Sequence, residues 1–146
     1  MTDLKTNAAA IEAYFVTKIE AARANGQPLA TVKAFWPRGR SSGPEAYPLV
    51  ARESRAITND IFTVSRDETF LELTYAIVEA NVDTNTGKGT AEDLGLELAG
   101  VFLEATDWPT VIAELDVTSI EDSPDETGSL AVSLVTFSVR FQHLRS

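Results

Sequence analysis

The chain has 146 residues, 44% of them hydrophobic, which is enough for a core without staples; it has no cysteine, which excludes a disulfide framework, Cys-ligated zinc and a thiol nucleophile. A formal charge of -10 argues against broad or sequence-specific nucleic-acid binding, because phosphates require a basic footprint. No apolar run reaches the length of a membrane span and the N-terminus lacks the basic-then-apolar layout of a signal peptide, so a soluble, unprocessed, single-domain product of a reducing cytoplasm is expected.

In chain order, a first helix is expected over residues 7–24. Leu4, Ala8, Ile11, Phe15, Ile19 and Ala22 recur at helical spacing, and Asn25-Gly26 followed by Pro28 supplies a stop. A short strand is expected from Thr31 to Trp36, with Val32, Ala34 and Trp36 on one face and Lys33 on the other. The run Pro37-Arg-Gly-Arg-Ser-Ser-Gly-Pro44 is a loop by every local rule, and the exposed basic loop is expected to span residues 37–48. Three readings are open to it: a mobile surface loop, a grip on a phosphate, or an arm that orders against a partner protein. Tyr47 to Glu53 reads as a strand. Ile61 to Val64 and Thr69 to Ala80 read as a hairpin, whose second arm alternates Leu71, Leu73, Tyr75 and Ile77 against Glu72, Thr74 and Ala76.

The chain is organised around a second helix, expected over residues 90–105 with Thr90 as its N-cap. Leu94, Leu98, Val101, Phe102 and Ala105 form a core-facing stripe, while Leu96 and Leu103 point roughly the opposite way, beside Ala99. Asp93, Glu97 and Glu104 confine the charge to one band, so this helix needs apolar cover on two sides. The C-terminal strands are expected over residues 110–142. The first, Thr110 to Thr118, places Val111, Ala113, Leu115 and Val117 inward and Glu114 and Asp116 outward; Glu121 to Gly128 reads as an acidic turn. The last strand slips phase: Leu130, Val132 and Leu134 share one face, and Val135, Phe137, Val139 and Phe141 share the other. Either a bulge near Leu134 realigns them, or the two halves bury opposite faces and one needs cover from elsewhere.

Charge is polarised. Residues 89–139 hold eleven acids and no base, while the rest of the chain holds twelve bases and eleven acids. Lys33, Arg38, Arg40, Arg52, Arg55 and Arg66 cluster in the second quarter. A solvated acidic face is one reading. The sharper one is head-to-tail contact, in which Arg38, Arg40, Arg52 and Arg55 of one copy face Glu121, Asp122, Asp125 and Glu126 of the next, with Leu96 and Leu103 supplying apolar contact.

Tests for chemistry return nothing. Gly87-Lys88-Gly89-Thr90 fails the phosphate-loop pattern, because position 82 is Val and Gly89 follows the lysine. Asp83 opens a segment like a calcium loop, but the twelfth position is Leu94 rather than the required Glu. His143 is the sole histidine, no serine is framed as a nucleophile, and Trp36 and Trp108 read as core or interface aromatics. No catalytic, cofactor or metal constellation emerges, and a non-enzymatic protein is expected. Spacing and composition give an α+β class, with a mostly antiparallel or mixed sheet flanked by two helices, but they assign no function.

The order of elements carries a resemblance. A helix containing Ile11-Glu-Ala-Tyr-Phe-Val-Thr-Lys-Ile-Glu-Ala-Ala22 leads to a short strand, a basic Pro/Gly loop and Ala46-Tyr-Pro-Leu-Val-Ala51. The long strand Leu71-Glu-Leu-Thr-Tyr-Ala-Ile-Val-Glu79 then runs into the second helix, and the chain closes on Phe137-Ser-Val-Arg-Phe-Gln142. This arrangement is similar to the tail terminator, or tail completion, proteins of long-tailed bacteriophages. The resemblance implies an α+β fold and a homo-oligomeric, hexameric ring in the virion. The ring would cap the tail tube and join it to neck or connector proteins, with DNA passing through the lumen and no cofactor or membrane involved. Another neck component, such as a head-completion or connector protein, and an acidic protein-binding module that docks a basic partner are the alternatives.

Overall fold

A computed structural model of the protein describes residues 4–38, 46–61, 66–80, 86–124 and 130–144. Its elements run α1 (Leu4–Ala22), β1 (Ala34–Trp36), β2 (Leu49–Ile61), β3 (Arg66–Ala80), α2 (Thr86–Leu103), β4 (Ile112–Pro124) and β5 (Leu130–Leu144). The strands form one sheet in the order β1-β2-β3-β5-β4, parallel between β1 and β2 and antiparallel elsewhere. Both helices pack on one face of it, which is the α+β class the patterning implies.

The α1 stripe is buried as its spacing requires, from Ala8 through Ile11, Phe15 and Ile19 to Ala22. Phe15 is the hub: its ring centroid lies 4.3 Å from Phe102, 5.2 Å from Phe137 and 6.0 Å from Tyr75. Full burial of such a side chain stabilises the fold by roughly 1.5–3 kcal/mol, before any aromatic pairing. The helix stops at Ala22, two residues short of the expected end. Gly26, at φ 83°, is not its cap; it sits in the next turn, which the Gln27 N–H closes on the Ala24 carbonyl at 3.0 Å.

Helix α2 starts at Thr86 rather than Thr90, so residues 87–89 lie in its first turn and not in a loop before it. Two glycines cost only about 1 kcal/mol each in a helix, and packing overrides that. The buried arc runs through Ala91, Leu94, Gly95, Leu98, Ala99 and Phe102, so Ala99 belongs to the core and not to the outward strip beside Leu96. Gly95 explains the rotation. A Cβ there would stand 2.5 Å from Ser133 Oγ, so the missing side chain lets the helix press onto β5 at this point.

The strands depart from expectation where local pattern is weakest. Strand β2 is one continuous element of 13 residues, not two, because β3 templates it from Leu49↔Val78 to Ile61↔Asp67. A register shift between Arg52 and Ser54 absorbs one residue. Strand β1 is only three residues long; Val32 lies before it and joins the core with Phe35, while Ala34 and Trp36 face the other way. In β4 a shift between Ile112 and Glu114 turns Ala113 outward and brings Ile112 in. Glu121 and Asp122 lie within β4 and not in a turn; Asp125 and Glu126 fall outside the described residues.

Strand β5 resolves the phase slip. It pairs with β3 without interruption from Leu144 to Leu130, so no bulge realigns it. Its two halves bury opposite faces. Val135, Phe137, Val139 and Phe141 lie under the helices. Leu130, Val132 and Leu134 border a second cluster on the far face, formed by Leu49, Ala51, Ala76 and Val78 with Trp36 and Tyr47 at its rim.

Candidate assembly surface

The strand order sends β1 and β4 to opposite edges, about 19 Å apart at the usual strand spacing. The β1–β2 ladder runs from Leu49 to Ala51, and no described strand pairs with the outer edge of β2 around Ile57. On this side Lys33 and Arg38 are exposed, and neither pairs with a described carboxylate; Arg40 lies outside the described residues. Arg52 and Arg55 are differently placed. Both reach Glu12 of α1, Arg52 Nη1 at Oε1 and Arg55 Nη1 at Oε2, the latter at 3.1 Å. They clamp α1 to β2, with Arg52 half-buried and Arg55 still partly open to solvent. Residue spacing shows a run of bases here; it cannot show that a glutamate forty residues earlier meets two of them.

The opposite edge is acidic. Glu114, Asp116, Glu121 and Asp122 of β4 are all exposed, and the outer side of that strand pairs with no described strand. Glu114 Oε2 accepts from Arg140 Nη2 at 3.1 Å and Nε at 3.3 Å. Sharing of a proton between the neighbouring Glu114 and Asp116 carboxyls splits their titration. It lowers Glu114, which Arg140 lowers further, and it raises Asp116, together with partial desolvation and the neighbouring charge. A charged edge resists indiscriminate strand pairing and stays open to a basic partner.

Apolar exposure follows the same division. Leu96 and Leu103 are 61% and 57% exposed, so α2 does carry uncovered leucines. Val101 faces α1 across a groove lined by Lys18, Ala22 and Pro28. At 100° per residue Leu96 lies about 140° and Leu103 about 160° around the helix from Val101, which places both on the flank away from it, with Leu96 also bordering the outer groove that reaches Pro28. Ile120 of β4, 39% exposed, stands opposite Val135, whose Cγ2 lies 3.7 Å from where a Cβ on Gly95 would be. It therefore lies on the helix side of the sheet, beneath the turn that carries Leu96. The fourth exposed large hydrophobic, Ile57 at 41%, is on β2 at the other edge. Sequence reasoning missed both isoleucines, because each sits in a strand whose bounds or register it misread.

His143 stands opposite Asp67 in the β3–β5 register, and Trp108 packs on the main core. Among the described residues no group of three or more His, Cys, Asp or Glu is placed to hold a metal, and no helix is long and apolar enough to cross a membrane. A shallow groove lies along α2 between Pro28, Leu96, Gly100 and Val101, with Glu97 and Glu104 on its rim.

No protein-family model matches the chain, and no curated protein does. Among solved structures it is similar to a chain of one described as "Virion of native gene transfer agent (GTA) particle", with a TM-score of 0.66 and 12% identity. The likeness covers 93% of this chain and 97% of that one, and at this identity it is a likeness of fold.

Proposed function

We propose that the protein is a structural, non-enzymatic component of a phage-like virion, and within it the tail terminator. Copies join head-to-tail into a ring, hexameric by the family resemblance, that caps the tail tube and joins it to the neck. DNA passes through the lumen without being read. The observation that carries this reading is the two-ended molecule: open sheet edges of opposite charge on opposite sides. A surface of that kind is complementary to the far side of another copy and not to itself, so repetition is heterologous and closes into a ring when the rotation allows. The likeness to a chain of a gene transfer agent particle and the order of elements support placement in a virion. The acidic balance of -10 suits a wall along which DNA slides, since like charge suppresses phosphate contacts.

The test is to make particles without this protein and measure tails by electron microscopy. Over-long tails detached from heads, restored to uniform length by adding the protein back, support the terminator. Tails of normal length that merely fail to attach move the assignment to another neck component, and normal particles remove the virion reading altogether.

A further inference from the structure

We infer that the contact between neighbouring copies is built on Ile57, which on the basic edge of one copy seats against the strip of Leu96, Leu103 and Ile120 on the acidic edge of the next. The inference rests on the head-to-tail reading above and goes further by naming the pairing. Among the described residues the exposed large hydrophobics divide unequally: Ile57 stands alone on the open edge of β2, while Ile120 lies on β4 beneath the turn that carries Leu96, with Leu103 on the same flank of that helix. That is a knob and a seat rather than two matching patches.

The sheet places the two isoleucines on the same side. Ile57 stands opposite Leu71, and Ile120 stands opposite Val135. Both partners belong to the helix-side core, so Ile57 and Ile120 project on that side too. Direction agrees as well. Three antiparallel steps separate β2 from β4, so the two strands run in opposite senses. Copies repeated side by side therefore present the β2 edge of one antiparallel to the β4 edge of the next. In that sense the register that sets Ile57 opposite Ile120 also sets Arg55 opposite Asp122. Arg55 and Asp122 share the helix side with the isoleucines, opposite Leu73 and Ser133 respectively, and both are exposed. The pairing thus has an apolar centre and a charged neighbour of correct sign at the same spacing on each strand, the layout of an interface core and its rim. The like-edge pairing, Ile57 on Ile57, sets Arg55 opposite Asn59, which carries no charge.

The chain has no native cysteine, so Ile57→Cys and Ile120→Cys can each be introduced as the sole thiol. Directly opposed antiparallel residues lie about 4.5–5.5 Å apart at Cα, within the roughly 4.4–6.8 Å a disulfide requires. Mixed under mild oxidation, the two variants should give a 57–120 disulfide dimer, identified by peptide mass, while each alone stays uncrosslinked. A third variant, Ile57→Glu, should keep the wild-type melting midpoint and weaken self-association at least tenfold. Wild-type assembly is followed in parallel by sedimentation, free at high concentration and on isolated tail tubes. If the wild type assembles but the mixed disulfide is absent, or each variant crosslinks to itself as readily, this pairing is wrong and the ring stands. If the wild type stays single under both conditions, the ring falls and the pairing with it.

Discussion

Ser133 is a hydroxyl fully inside the protein whose Oγ has no hydrogen-bond partner among the described residues, and it lies under Gly95 of α2. The two residues hold each other in place. Ser133→Ala removes a desolvated, unpaired polar atom and should stabilise the fold by about 1 kcal/mol. Gly95→Ala alone gains helix propensity worth about 1 kcal/mol but drives a methyl to 2.5 Å from Oγ, so the gain is cancelled or reversed. With Ser133→Ala in place the nearest atom is Ser133 Cβ at 3.4 Å, which is ordinary contact, and the helix gain should appear. A double-mutant cycle in urea should therefore show a coupling that favours the double variant by about 1 kcal/mol; strict additivity would mean that α2 does not press on β5 at this point. A second residue-scale link is Asp107, which accepts from Tyr14 at 3.1 Å and from Lys18 at 3.2 Å, tying the end of α2 to α1. The Lys18 bond, chiefly, with Tyr14 helping against some desolvation, holds the Asp107 carboxyl below its ordinary range, while burial and then the Asp107 bond push the Tyr14 hydroxyl up. A carboxyl lowered in the folded state stabilises fully above its unfolded pKa of about 4, and that contribution is lost as pH falls through the lower folded value. Asp107→Asn should accordingly leave a shallower fall in melting midpoint below about pH 4 than the wild type shows, and an unchanged acid limb would show that the bond is idle in solution.

Among the elements, α1 and the second arm of the hairpin were legible because one face of each is buried over its whole length, so periodicity records the packing. Strand β2 was not. From Glu53 to Thr58 every residue is exposed, so neither face imposes alternation, and what makes the segment a strand is the backbone of β3, which a local pattern does not contain. The same reason hid Ile57. In β4 the shift near Ala113 broke the period at the first turn of the strand, and the alternation read from Val111 to Val117 was carried one residue out of phase at its start. The uncovered side of α2 was legible, since Leu96 and Leu103 fall outside the core stripe by spacing alone, whereas the Glu12 clamp on Arg52 and Arg55 depends on how α1 lies across the sheet. The element also carries a prediction of its own. Gly100 lies inside α2 with nothing among the described residues within 4 Å of where a methyl would stand, so no described packing opposes a side chain there in the single copy. Gly100→Ala should raise stability by about 0.5–1 kcal/mol through helix propensity, read as a higher urea midpoint at constant slope. A loss instead would mean that the backbone at Gly100 departs from regular helix.

For the molecule as a whole, the proposed head-to-tail contact would combine attraction between charges with burial of apolar surface. The two contributions respond differently to salt. Rim charges act over roughly a Debye length, about 10 Å at 0.1 M, and mainly set the rate and orientation of encounter, while the apolar centre sets how long the contact lasts. One Glu12 carboxylate offsets only one of the two guanidiniums of Arg52 and Arg55, so the net positive charge on the basic edge rests on Lys33, Arg38 and the remaining charge at Arg55 among the described residues, and steering there depends on few groups. Raising salt from about 0.05 to 0.5 M should then slow association severalfold, with little change in dissociation, when assembly is followed by light scattering. Arg38→Glu combined with Arg40→Glu extends the argument to the loop. Arg38 is exposed and makes no described ion pair, so reversing it costs the single copy nothing in packing, and the melting midpoint should stay at the wild-type value. Assembly should be blocked or strongly slowed, because in the proposed contact this edge would lose the positive charge that faces the acidic residues of β4. If the double variant melts and assembles as the wild type does, the loop has no part in the contact, and orientation must come from the strand edges alone.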